Sequence, residues 1–249
     1  MHRSPVAPHG SPHGRASLID LGYRSFVAQV QAAMDPLDSY SSEALLWLMR
    51  EHFALAAAKP EVLQHAAYIA QELDTPQIGM LLRAARHAEY DQSVWHRAAL
   101  DHAQINPLLR IEFAPTTSLV ERLHELIDAS PSSMLGVVYV LQHGALFEHF
   151  LLHRIAQTLI ARLVLNERGR ALLDFHQTQQ DQASIAPELD AFLVHVPSDE
   201  RHVSAQGARP SMAPLDTVQG GLSTVELLLS WWQNLVPVLV EKSARCQVS

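Results

Sequence analysis

Apolar and polar positions along this chain repeat with the period of helices rather than strands. Apolar residues recur at three- and four-residue intervals from Leu18 to Met34, and Asp35–Pro36 breaks the run. A second stretch opens at Ser41 or Ser42, either of which suits an N-cap, and runs through Ala58 with Leu45, Leu46, Leu48, Met49 and Phe53 on its buried side. Lys59–Pro60 is expected to end it and to start another helix, to about Leu73. Thr75–Pro76 reads as a helix start, a capping hydroxyl followed by proline at the first position, with the helix reaching about Gln104 before Asn106–Pro107. Ser118-x-x-Glu121 has the form of a capping box for a short helix to about Asp128, and Ser130–Pro131 opens the next.

From Met134 to Leu165 the pattern changes. The segment is apolar nearly all round, which marks a helix central to its fold, and Gly136 and Gly144 permit close approach of a neighbour. Asn166–Arg170 reads as a break, and Ala171–Gln182 as a polar helix or loop. Pro187 starts a helix carrying His195, Asp199 and His202, and Gly207–Gly221 reads as a loop. Ser223-x-x-Glu226 caps the last helix, Leu222–Lys242, with Trp231 and Trp232 as packing residues. The expectation is an all-α bundle of about seven helices: a flexible tail over residues 1–17, then one domain over 18–249.

Composition narrows the function classes. Hydrophobic residues make up 48% and charged residues 18%, the balance of a globular chain. The net charge of −8 argues against nucleic acid. The single cysteine, Cys246, excludes an internal disulfide and a cysteine-rich zinc site. No apolar run of membrane-spanning length is free of charges, and the N-terminal stretch lacks the apolar core of a secretory signal, so a cytoplasmic location is expected. No phosphate-cradling glycine loop, Gly-x-Ser-x-Gly or dinucleotide fingerprint is present.

The chemistry-bearing residues lie in three places. His195, Asp199 and His202 stand at i, i+4 and i+7; on a helix they share one face and can reach one point. Pro197 stands inside that spacing, and a helix beginning there would leave His195 outside it. Glu89 and His96 are two turns apart on one face of their helix. Glu148 stands in the apolar helix, where an unpaired charge is costly and a metal or an arginine such as Arg154 would compensate it. His143, His149 and His153 are competing candidates beside it. Imidazole with hard carboxylate oxygen is the ligand mixture of non-haem iron or manganese.

Glu-x6-His, then a carboxylate in a long apolar helix with glycine and tyrosine (Leu135–Leu141), then His-x3-Asp-x2-His: in this order the motifs resemble the haem-oxygenase-like di-iron oxidases and oxygenases, over about Ser41 to Gly207. The resemblance implies a haem-oxygenase-like helical bundle. It also implies two Fe(II) ions, with Mn able to substitute, held by Glu89, His96, Glu148, His195, Asp199 and His202. Substrates would be O2 and a small metabolite, and a homodimer is compatible with the family. Gln142 stands where many members carry the middle carboxylate, so Glu148, His149 and Gln142 remain alternatives for that position. Tyr139, Phe147, Phe150 and Trp95 are candidate cavity walls. The alternative is a metal-free member of the same fold, acting as a binding or scaffold protein or by acid–base groups alone.

Overall fold

The computed structural model describes residues 12–72, 76–109, 113–181 and 214–246. Within these residues the chain forms seven α-helices and no strand: α1 (Pro12–Met34), α2 (Ser42–Ile69), α3 (Pro76–His102), α4 (Ala114–Ala129), α5 (Pro131–Ala161), α6 (Arg170–Asp181) and α7 (Pro214–Cys246). The anticipated helix with His195, Asp199 and His202 lies outside the described residues.

Helix α5 is the axis of the bundle. It touches α1, α2, α4, α6 and α7, and Met134, Leu135, Val137, Val138, Tyr139, Val140 and Leu141 are all buried. Ser130 caps it, its hydroxyl accepting from the Ser133 amide at 3.0 Å, and Pro131 occupies the first turn, as its sequence foretells. By length and composition α5 is apolar enough to cross a membrane, but 71% of that apolar window is buried against the other helices. Its closest partner is α7. A Cβ on Gly136 would lie 2.1 Å from the Thr217 carbonyl oxygen and 2.4 Å from the Gly221 nitrogen, and one on Gly220 would lie 2.4 Å from the Ser133 carbonyl oxygen. Backbone meets backbone at this crossing, so glycine is required on both sides. Gly144 is different: a Cβ there meets nothing nearer than 3.9 Å.

Several boundaries differ from the sequence expectation. The first helix begins at Pro12, inside the expected tail. The break at Lys59–Pro60 does not occur: α2 runs unbroken through Pro60 to Ile69. Proline there removes the amide that would bond to the Ala56 carbonyl. Helix α2 packs on α3, α4, α5 and α7, and Leu55 before the proline and Val62, Leu63 and Ala66 after it are buried, so packing outweighs the local penalty. Neither internal capping box acts as one. Helix α4 starts at Ala114, with Pro115 in its first turn, and α7 starts at Pro214; Ser118 and Ser223 therefore lie within their helices. The Gly220–Gly221 pair reads as loop locally but is helical because it seats α7 on α5.

Candidate functional site

Helices α2, α3, α5 and α6 enclose one cavity lined by His52, Ala56, Lys59, Glu89, Gln92, Ser93, His96, Glu148, His149, Leu152 and Phe175. Its volume of ≈ 20 Å³ is enough for one water molecule or one ion. Glu89 and His96 reach it together because they stand two turns apart on α3. His52 and Lys59 have the same spacing on α2, and Gln142 and His149 on α5.

The charged groups are paired. Lys59 Nζ donates to Glu148 Oε2 at 2.8 Å, with 5% and 17% of the two side chains exposed. Gln142 Nε2 donates to Glu89 Oε1 at 3.1 Å. Burial alone would lower the Lys59 ammonium, but the charges of Glu148 and Glu89 and the hydrogen bond to Glu148 outweigh it and hold its pKa above the ordinary value. For Glu148 desolvation acts upward, and the nearby positive charge with its hydrogen bond wins, leaving the pKa lowered. Glu89 goes the other way: desolvation, reinforced by the Glu148 charge, outweighs Lys59 and Gln142 and raises it. The cavity thus holds one firmly ionised carboxylate and one that takes up a proton more readily.

The imidazoles are neutral because they are buried. Desolvation pushes His52 and His149 down to about 4 and His96 to about 3, and lowers His176 well below its ordinary value. His149 Nδ1 and His176 Nδ1 are 3.1 Å apart, so one donates and the other accepts, and the two rings carry opposite tautomers. His96 stacks on Phe175 with centroids 5.0 Å apart and meets Phe53 edge-on, which fixes the plane of its ring. The Nε2 atoms of His52, His96 and His176 and both amide atoms of Gln179 are buried without a hydrogen-bond partner among the described residues. Such orphaned buried atoms are uncommon and mark a place where water or an ion is expected.

The structure therefore brings together Glu89, His96 and Glu148, with His149 beside them. Gln142 contacts the site through Glu89. No group of three His, Cys, Asp or Glu among the described residues converges tightly enough to hold a metal ion. His195, Asp199 and His202 are outside the described residues. Glu148 is compensated by Lys59, not by Arg154, whose guanidinium binds Asp35 at 2.7 Å. Of the expected cavity walls, Trp95 and Phe150 are exposed and Tyr139 and Phe147 are core residues; Phe175 and Leu152 supply the apolar lining. His143 stacks on Tyr139 away from the cavity lining.

Sequence reasoning missed His52, Lys59 and His176. The signal for the first two was their two-turn spacing, hidden by the expected break at Pro60. His176 follows Phe175 in a segment whose helical period was ambiguous.

No family model matches the chain, and no curated protein matches it. Among solved structures, a CadD-like protein of unknown function from Nostoc punctiforme PCC 73102 is similar, with a TM-score of 0.64 at 14% identity, over 89% of this chain and 98% of that one. That likeness is one of fold.

Proposed function

We propose that the chain is a non-haem iron-dependent oxidase or oxygenase acting with O2 on a small metabolite, within the haem-oxygenase-like di-iron group. One observation carries this reading: Glu89 and His96 of α3 and Glu148 of α5, far apart in sequence, wall one ion-sized buried cavity in which His96 Nε2 has no partner among the described residues. The likeness to the CadD-like fold supports it, since CadD-like proteins belong to the haem-oxygenase-like superfamily.

The donor set suits Fe(II) or Mn(II), since neutral imidazole and carboxylate oxygen are their usual ligands. Glu89, His96 and Glu148 would hold one side of the centre, and His195, Asp199 and His202 supply the spacing for the other. Bound iron would supply dioxygen activation. The chain's own groups do the rest. Gln142 orients the Glu89 carboxylate through its amide. Phe175 and Phe53 hold the His96 ring in place. Leu152, Phe175 and Ala56 limit water in the cavity, which strengthens every polar contact inside it. Burial keeps the imidazoles unprotonated, the form that can ligate.

The test is the iron content of protein loaded anaerobically with Fe(II). At least about one ion per chain is expected, with a large drop in His96→Ala and in His202→Ala, since losing a ligand removes much of a site's affinity. Less than one ion, unchanged in both variants, would refute the reading. The metal-free alternative draws on a specific observation: Lys59 and Gln142 already satisfy Glu148 and Glu89 without a metal ion. It requires tight binding of an organic ligand that is indifferent to a chelator.

A further inference from the structure

The lysine at the site is out of keeping with the rest of the chain. Sixteen of the eighteen cationic residues are arginine and two are lysine. Lys242 lies near the C-terminus, its ammonium 5.5 Å from the Trp47 ring centre. The other, Lys59, is 4% exposed and forms a buried ion pair with the middle carboxylate of the proposed centre. Arginine would clamp that carboxylate through a rigid two-pronged contact; lysine offers a compact point charge on a flexible stem that can withdraw.

The charges in the cavity explain the need for a cation. Glu89 and Glu148 bring two carboxyl groups to the lining, which holds one lysine and no arginine. An isolated buried carboxylate is strongly disfavoured, so the metal-free protein needs a positive charge of its own. A divalent ion entering beside Glu148 supplies that charge. With Lys59 still in place, two like charges would then face each other across a cavity with room for one ion.

We propose that Lys59 is a built-in counter-cation: it occupies the Glu148 carboxylate in the metal-free protein and leaves it when a divalent metal ion binds. The inference rests on the metal reading above. It assigns Lys59 as a positioning residue that keeps the empty cavity formed and sets the affinity of the site by competition, so that only an ion able to displace an ammonium is retained.

The test is calorimetric titration of Mn(II) into the metal-free wild-type protein, Lys59→Met and Lys59→Arg, together with lysine acetylation of the wild-type protein read by mass spectrometry. Removing the competing charge should make Lys59→Met bind Mn(II) at least about tenfold more tightly than wild type. Lys59→Arg, which keeps the charge and grips better, should bind no more tightly than wild type. Acetylation of Lys59 relative to Lys242 should rise once Mn(II) is bound, a readout that does not depend on any variant folding. Wild-type binding with Lys59→Met no tighter, or Lys59 reactivity that stays flat or falls on loading, would overturn the inference and leave the metal reading standing. Absence of Mn(II) and Fe(II) binding in both wild type and Lys59→Met would overturn the metal reading and this inference with it.

Discussion

The ionisable side chains around the cavity are held in two ways, Lys59 and Glu148 as an ion pair and His52, His96 and His149 as buried neutral imidazoles, and the two solutions make different predictions. Lys59 and Glu148 are a buried pair. Removing one partner strands the other, which costs about 3–5 kcal/mol, whereas replacing both by apolar groups of similar volume is often neutral. In urea denaturation of the metal-free protein, Glu148→Gln should therefore be strongly destabilised, and Lys59→Met/Glu148→Leu should recover most of the loss. Additive losses in the double variant would contradict the pairing. Residue spacing made Glu89 and His96 legible in the sequence, because a two-turn interval needs only a helix to become a shared face. Glu148 was legible as a costly charge in an apolar stretch, but its partner was not: Lys59 lies 89 residues away, and no local pattern encodes such a contact.

Among the helices, the crossing of α5 and α7 is the most constrained contact. Gly136→Ala would place a methyl group against the Thr217 carbonyl and the Gly221 amide, backbone atoms that cannot rotate away. Overpacking of this kind costs about 1–3 kcal/mol or more, and Gly144→Ala, which meets only ordinary contacts, should cost far less. Urea midpoints of the two variants check the ordering; equal losses would mean that α7 does not seat where described. The helix content and the central role of α5 were plain from periodicity and capping residues. The boundaries of α2, α4 and α7 were not, because Pro60, Ser118, Ser223 and Gly220–Gly221 carry local signals that long-range packing overrides.

For the whole molecule, the buried histidines tie stability to pH. His52, His96, His149 and His176 all titrate lower in the folded protein than the ordinary value of 6.5, so below that value the unfolded chain binds protons that the folded chain refuses. Their contribution is complete above pH 6.5 and is lost as pH falls towards about 4, by on the order of 1 kcal/mol per pH unit for each group. The lowered Glu148 adds to the loss at the acid end, and the raised Glu89 opposes it. The urea midpoint of the metal-free protein should fall steeply between pH 7 and pH 5, with protons taken up on unfolding; a flat profile would mean that these imidazoles are solvated. Bound metal should raise the midpoint throughout this range, because the buried imidazoles are already unprotonated in the folded protein. The proposed function requires that the cavity between α2, α3, α5 and α6 hold iron. A crystal grown anaerobically with Fe(II) and measured at the iron absorption edge addresses it directly. An anomalous peak is expected between Glu89, His96 and Glu148, with Lys59 withdrawn from the carboxylate. A map with no peak in that cavity, and Lys59 still bonded to Glu148, would contradict it.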